Sequence, residues 1–254
     1  MKRIFTCCIV ILLHGSVLAQ LTESDTLRFG YRFNVNGSWI TGNVERLLIT
    51  NNLDLSHIGK SIGVKSSNNY TYGTIYGFKT ENDIFSRNFV YLHPKRRIYP
   101  YAMLWVQSSK RQQIDFRYQV GLGASISVIQ KPNHQLKIST TLSQENTRYQ
   151  GTTFNIEPEN LKVDEVSNWR GTVRLLGNHH IVNNKLILKY ETWYQPAFDD
   201  ANNWRYFIQT ALEIPLSRHF SFRSALIYSH ENIVLSTIKQ DDKILTFGLN
   251  LGNF

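Results

Sequence analysis

In several segments, one set of alternate positions holds charged residues together with Ser, Thr, Gln and Gly. Successive side chains of a strand point to opposite faces, so these residues would share one polar face. Inside a barrel, such a face predicts either an ion-conducting lumen or a lumen closed by mutual pairing. The predicted lumen-lining residues are Asp115, Arg117, Arg170, Arg174, Lys189, Glu191, Arg205, Glu213, Arg223 and Glu231.

Basic residues outnumber acidic ones in this set, six against four. If the lumen is a channel, this excess favours anions over cations. A packed polar interior fits the same pattern, and buried ion pairs are by themselves weak evidence for stability. The sequence alone does not distinguish an ion-conducting lumen from a packed polar interior.

Two pairs of adjacent carboxylates, Asp199–Asp200 and Asp241–Asp242, fall in predicted external loops. Paired carboxylates can share a proton or hold a hard divalent cation, but acidic residues are also ordinary turn formers. Lys110 and Arg111 lie in another predicted external loop, where they would meet lipopolysaccharide phosphates.

Histidines give little support for catalysis. His219 precedes Ser221 by two positions, but both lie beside a short basic turn. His179 and His180 are adjacent, so on a strand they would point to opposite faces and would not readily share a metal. We therefore predict no catalytic residue, no metal site, no cofactor and no enzymatic activity.

Strict alternation of apolar and polar residues predicts the elements that position these side chains. The longest run covers residues 114–128, with Val120 on the apolar face and Gln119 on the polar face. A strand in a globular protein has about 5–6 residues, whereas a membrane-crossing strand needs about 9–11. About twelve segments are predicted: 27–38, 44–56, 59–72, 78–91, 98–109, 114–129, 135–147, 167–177, 185–194, 204–214, 219–231 and 243–252.

Two of these segments have no clear inward face. In 78–91, Phe85, Phe89 and Tyr91 share a face with Asp83 and Arg87, and in 98–109 both faces are apolar. The connections alternate between short and longer ones, as in outer-membrane barrels, which places both termini in the periplasm.

Aromatic residues gather near the segment ends, which favours interfacial girdles over ordinary strand enrichment. They are Trp39, Tyr70, Tyr72, Tyr91, Tyr99, Tyr149, Trp169, Tyr194 and Trp204. The polar faces mix Arg with acids and small residues instead of being dominated by Lys and Glu, which favours a membrane barrel over a secreted soluble sandwich.

The first residues predict a cleaved secretory signal peptide. A basic start and an apolar run too short to span a bilayer precede a small-residue cleavage site after Ala19. The predicted domains are therefore 1–19, the signal peptide, and 20–254, the barrel. Both cysteines, Cys7 and Cys8, lie in the removed part, and the formal charge falls from +9 to +7 with the loss of Lys2 and Arg3.

Much of the mature chain resembles the salt-induced outer-membrane protein family, domain of unknown function 481. The resemblance rests on an acidic residue opening a strand that ends in Tyr (Asp83, Tyr91), on the turn Pro94-Lys95, and on the pattern Ile114-Asp115, Arg117, Gly121 and Gly123. It implies an outer-membrane barrel without an established activity. The family name suggests a salt response, which these residues do not show.

The sequence thus predicts an all-β, antiparallel transmembrane barrel of about 12 strands in the outer membrane, acting as a small pore or as a structural or salt-stress protein of the envelope. The alternatives are a barrel hydrolase acting on lipid or peptide, and a secreted β-sandwich. Expected partners are outer-membrane lipid, lipopolysaccharide and the barrel-assembly machinery, without nucleic acid. The last segment is expected to pair with the first, near 27–35, with Phe254 out of phase with its apolar face.

Overall fold

The computed structural model describes residues 29–182, 185–217 and 219–252. The predicted signal peptide with its cleavage at Ala19, and the terminal Phe254, lie outside these residues. Within the described ranges, no helix has the length and apolarity needed to cross a membrane.

Twelve long antiparallel strands form a single sheet, and they match the twelve predicted segments in order, with ends that shift by a few residues. The strands are β1 (Phe29–Ile40), β2 (Arg46–Ile58), β3 (Ile62–Ile75), β4 (Phe78–Leu92), β5 (Ile98–Ser109), β6 (Ile114–Lys131), β7 (His134–Tyr149), β9 (Glu165–Ile181), β10 (Leu186–Pro196), β11 (Trp204–Pro215), β12 (Phe220–Glu231) and β13 (Asp241–Gly252). The two-residue strand β8 (Leu161–Lys162) pairs with β9 inside the longest connection.

The sheet closes on itself, because β13 pairs with β1 at the point where the chain ends. Arg32 lies opposite Gly252 and Asn34 opposite Asn250, so the predicted pairing of the last segment with the first is confirmed. Closure removes the unpaired edges that an open sheet would present, and it explains why the final strand is so regularly patterned.

This closing seam is short. Among the described residues, three positions of β1, Arg32–Asn34, have paired partners on β13, whereas β4 and β5 have eight paired positions. Beyond the paired stretch, Ile40 and Ile244 are 48% and 40% exposed although each falls at an inward position of its strand. The barrel wall is therefore weakest along the parts of β1 and β13 that lie farthest from Phe29 and Gly252.

Alternation along the strands separates an apolar outer face from a polar interior. Val120 is 51% exposed and its neighbour Gln119 only 1%, as the pattern predicts. On β13, Leu245, Phe247 and Leu249 are each more than half exposed. An outward apolar band combined with a polar interior is the arrangement of membrane barrels.

The two ends of the barrel differ. One end, the terminal end, carries the start of β1, the end of β13 and the short turns after β2, β4, β6, β9 and β11. The opposite end, the loop end, carries the connections 41–45, 76–77, 110–113, 150–164, 197–203 and 232–240. The longer connections therefore lie mostly at one end, as expected, although 76–77 is a tight turn with positive φ at Tyr76 and Gly77.

Strands β4 and β5 send aromatic side chains into the interior, which resolves the two segments without a clear inward face. Phe89, Tyr91, Tyr99, Tyr101, Met103 and Trp105 form one buried cluster, against which Phe85 and Trp193 pack. The ring of Tyr101 lies over Gly123, where a Cβ atom would come within 2.7 Å of the ring. The girdle prediction was wrong for Tyr91, Tyr99 and Tyr149, which are all at most 8% exposed.

Candidate functional site

The interior holds three layers of charged side chains. The first, the loop-end layer, consists of Arg117, Glu145, Arg170, Arg205 and Glu231. Arg117 donates two parallel hydrogen bonds to Glu231, at 2.8 and 2.9 Å. Four strands separate β6 from β12 on one side of the barrel and six on the other, so this bidentate pair bridges nearly opposite walls.

Glu145 is the second carboxylate of the loop-end layer, and it accepts from two guanidinium groups. Arg170 Nε donates to it at 2.9 Å, and Arg205 donates to its other oxygen. Arg170 also donates to the carbonyl oxygens of Gln195 and Asn203. Because Glu145 is 1% exposed, each of these charges depends on the others for compensation.

The middle layer consists of Arg87, Arg174 and Glu191. Arg87 Nη1 donates to Glu191 at 2.7 Å, again between walls separated by four strands on one side and six on the other. Arg174 Nε lies 3.9 Å from the same carboxylate, and its guanidinium stands 4.8 Å from the centre of the Phe89 ring. The aromatic cluster thus helps to hold a cation inside the barrel.

The terminal-end layer consists of Arg32, Lys189, Glu213 and Arg223. Glu213 is fully buried. Its carboxylate oxygens lie 2.7 Å from Lys189 Nζ, 3.4 Å from Arg223 Nε and 3.5 Å from Arg32 Nη1. One carboxylate therefore faces three cations in this layer.

A cavity of about 130 Å³ lies between the middle and terminal-end layers. Its wall includes six basic residues, Arg32, Lys65, Arg87, Lys137, Lys189 and Arg223, and two acidic residues, Asp54 and Glu191. Ser67 donates to Asp54 at 2.5 Å, and Lys137 donates to the hydroxyl of Tyr99 at 2.8 Å. The space is partly open, its wall combines polar and apolar surface, and basic residues outnumber acidic ones around it.

Residues 232–240, the lid, fold inward over the loop end. Ile233, Val234 and Leu235 are at most 8% exposed, and Leu235 packs in an apolar cluster with Ile114, Tyr149 and Val166. Hydrogen bonds with the 150–164 connection hold the lid. The Val234 backbone N–H donates to the side-chain oxygen of Asn155 at 2.9 Å, and the Asn155 backbone N–H donates to the Val234 carbonyl oxygen at 3.0 Å. The loop end of the lumen is therefore covered in this structure.

The structure places nine of the ten predicted lumen residues inside the barrel, all of them in the three layers. Asp115 is the exception. A bulge between Ile114 and Phe116 shifts the register, so Asp115 is half exposed on the outer face and pairs with the half-exposed Arg148 at 2.5 Å.

Several interior charges were missed from the sequence. Glu145, Arg32 and Lys137 lie at polar positions of alternating segments, so the same pattern identifies them. Arg87 was noticed but not oriented, because its segment carries aromatic residues on the inward face.

One predicted acidic pair lies in the loop 197–203, whereas Asp241 and Asp242, predicted in a loop, are the first residues of β13, where Asp241 accepts from Tyr228 and Asp242 pairs with Arg111. Asp199 accepts from the backbone of Trp169 at 3.0 Å, and Asp200 accepts from the backbone of Glu159 and of Asn202. These contacts fix the loop backbone, and they use Oδ2 of Asp199 and both carboxylate oxygens of Asp200. Among the described residues no group of three or more His, Cys, Asp or Glu is placed to hold a metal.

Arg111 is also engaged within the protein. It contacts Asp242 at 2.5 Å and Asp83 at 3.4 Å, and so joins the 110–113 loop to two strands. Burial alone would lower the pKa of the Arg111 guanidinium, but the two carboxylates raise it above its ordinary value. Lys110, its predicted partner in binding phosphate, is exposed.

The histidines singled out from the sequence, His179, His180 and His219, lie near the terminal end. His179 contacts His134 across neighbouring strands, with 3.3 Å between their Nδ1 atoms, and its Nε2 lies 3.1 Å from the Tyr190 hydroxyl. His219 donates its backbone N–H to Ser217, not to Ser221, and Ser221 is fully buried.

A closed antiparallel barrel with an apolar exterior and a charged interior defines the chain as an outer-membrane-type β-barrel. The model of the family described as "Protein of unknown function, DUF481" matches residues 37–252. The chain belongs to this family, as the sequence resemblance predicted. A search of curated proteins found no match.

Solved structures of similar shape include a porin and two autotransporter domains. A NanC porin superposes with a TM-score of 0.52 at 10% identity, over 88% of this chain and 98% of the porin chain. The translocator domain of the autotransporter NalP from Neisseria meningitidis gives 0.45 at 10% identity, over 89% and 87%. The β-domain of the Bordetella autotransporter BrkA gives 0.42 at 10% identity, over 89% and 98%. The porin likeness supports the fold alone.

Proposed function

We propose that this protein is a non-enzymatic outer-membrane channel for small anions, closed in the conformation described here. The observation that carries the proposal is the composition of the interior. The three layers and the cavity wall together contain ten basic and five acidic side chains, a surplus of five positive charges. A lumen of this sign attracts anions and repels cations.

The cost of burying these charges supports a conducting role over a purely structural one. Buried ion pairs are often no more stabilising than apolar side chains of the same volume. Fifteen ionised side chains are therefore an expensive way to fill a barrel, whereas an ion pathway requires polar groups along its length.

The apolar outer face of the barrel supports our proposal that the protein lies in a lipid bilayer. Its exposed apolar side chains, such as Val120 and Leu122 on β6, would face lipid. With the usual asymmetry of outer-membrane barrels, the loop end faces outward and both termini lie in the periplasm. Export by the predicted signal peptide, insertion by the barrel-assembly machinery and contact with lipopolysaccharide follow from that placement.

The closed state has two barriers. The lid covers the loop end, and the Arg117–Glu231 and Arg87–Glu191 pairs bridge nearly opposite walls below it. Conduction requires these contacts to separate, and the interior then offers a cation-lined path.

The bridging pairs also favour a second candidate, a permanently closed barrel with a structural role in the envelope. A hydrolase is less well supported. At the loop end His230 pairs with Asp241 at 3.0 Å, but the hydroxyl beside this pair belongs to Tyr228, which donates to Asp241 instead of being activated by it.

Ion flux from vesicles separates the channel from the structural barrel. The purified full-length protein is reconstituted into vesicles loaded with potassium chloride and placed in sodium nitrate, so that chloride can exchange for nitrate and potassium for sodium without a build-up of charge, and chloride and potassium release are followed with ion-selective electrodes. The channel predicts chloride release well above protein-free vesicles and faster than potassium release. Equal release from both kinds of vesicle would support the structural barrel and contradict the channel.

A further inference from the structure

We propose that the cavity between the middle and terminal-end layers binds a compact oxyanion with at least two negative charges, such as inorganic phosphate. The proposal rests on the charge, the size and the wall chemistry of the cavity. It rests on the proposed function only in that an anion must reach the barrel interior. Binding at this site is measurable whether or not the barrel conducts.

Charge balance is the first argument. Six basic residues line the cavity against Asp54 and Glu191, and Glu213 behind the wall adds one more carboxylate. Six positive and three negative charges leave a surplus of three. Glu213 already serves Arg32, Lys189 and Arg223, so the surplus is concentrated where those three cations converge.

Repulsion between cations is strong where water is sparse, because the effective dielectric constant falls well below that of water. An anion with one charge would offset part of the surplus of three, and an anion with two or more would offset most of it. The site should therefore discriminate by ligand charge, with the protein itself setting the preference.

The shape of the wall is the second argument. Arg32, Arg87 and Arg223 come from β1, β4 and β12, and Lys65 and Lys137 from β3 and β7, so the cations approach from several sides. Guanidinium groups bind oxyanions through paired N–H donors, and ammonium groups supply point charges. A single water takes up about 30 Å³ in the liquid, so a cavity of about 130 Å³ admits a compact anion with some of its water.

Calorimetric titration of the purified barrel in a non-ionic detergent tests the site, with inorganic phosphate as the probe and nitrate as a singly charged comparison. The wild type should bind phosphate more tightly than nitrate. Lys65→Gln should weaken phosphate binding about tenfold, the effect of losing one nearby charge in a medium of intermediate dielectric constant. Lys65 takes part in none of the ion pairs above, so its replacement separates no carboxylate from its cation.

Arg46→Gln is the matched control. Arg46 lies at the loop end of β2, where it pairs with Glu81 at 3.3 Å, and its loss changes the net charge by the same amount. Phosphate binding should keep its wild-type affinity in this variant. Absence of phosphate binding to the wild type at millimolar concentration, or equal weakening by both variants, would overturn the site, and equal affinity for nitrate would overturn the assigned charge class.

The outcome is distinguishable from that of the channel proposal. Phosphate binding without chloride flux from vesicles would retain the site and exclude the channel. Flux without phosphate binding would retain the channel and exclude the site.

Discussion

Glu145 offers the sharpest test of how the interior is held together. It is 1% exposed and accepts from both Arg170 and Arg205. Glu145→Gln keeps the side-chain shape but removes the carboxylate that both buried guanidinium groups contact, and it leaves Arg205 with the Glu231 carboxylate at 4.0 Å. Removing one partner of a buried ion pair typically costs about 3–5 kcal/mol. We expect a loss of unfolding free energy in this range.

The assay is equilibrium unfolding by guanidinium chloride of the barrel refolded in micelles, followed by tryptophan fluorescence. Asp115→Asn is the matched control, because it removes one negative charge from an ion pair of neighbouring strands whose two side chains are about half exposed. Solvent screens that pair, so the control should unfold like the wild type.

A double variant tests the cause of the loss. If the cost of Glu145→Gln comes from uncompensated cations, adding Arg205→Gln should recover part of it and the two effects should not add. A loss below about 1 kcal/mol for Glu145→Gln would refute the reasoning, because it would mean that water already solvates the loop-end layer.

Three further outcomes follow from the barrel wall and its cover. Val120→Arg places a charge on the outer face and should lower the free energy of unfolding by about 2–4 kcal/mol if it lies near the bilayer midplane. Unfolding from lipid vesicles measures this loss, and Val120→Ile, the control, should cost little. A fully tolerated Val120→Arg would reverse the assigned faces. Leu235→Asp puts a carboxylate in the apolar cluster under the lid and should raise chloride flux; unchanged flux in the folded variant would show that the lid is not a barrier. Amide hydrogen exchange should be faster in β1 beyond Val35 than in the middle of β6, because the described part of the β1–β13 seam has three paired positions. Equal protection of the two strands would contradict a weak seam.

The strands could be predicted because the signal is local. Alternation with a period of two is set by strand geometry alone, so most of the twelve segments were visible along the chain, whereas 78–91 and 98–109 showed no clear inward face. The closing of β13 against β1 also followed from a general requirement, since a barrel leaves no open edge.

The aromatic interior could not be predicted in the same way. Tyr91, Tyr99 and Tyr149 lie near strand ends, where aromatic residues usually mark the membrane interface. Here they point inward and fill the space between walls. Side-chain type does not distinguish the two uses, because an aromatic ring suits both a lipid interface and a packed core.

The ion pairs were predictable in type but not in partner. Arg117 and Glu231 are 114 positions apart, and they meet only because β6 and β12 lie on nearly opposite walls of a barrel of this size. Asp115 failed for a local reason, since one extra residue at a bulge reverses the face of a side chain.

The most direct test of the central claim, a barrel interior with surplus positive charge, is the reversal potential of the reconstituted protein in a planar bilayer under a potassium chloride gradient. The interior described here predicts a reversal potential of the sign set by chloride. A potential of the sign set by potassium, measured on the same folded protein, would contradict the account.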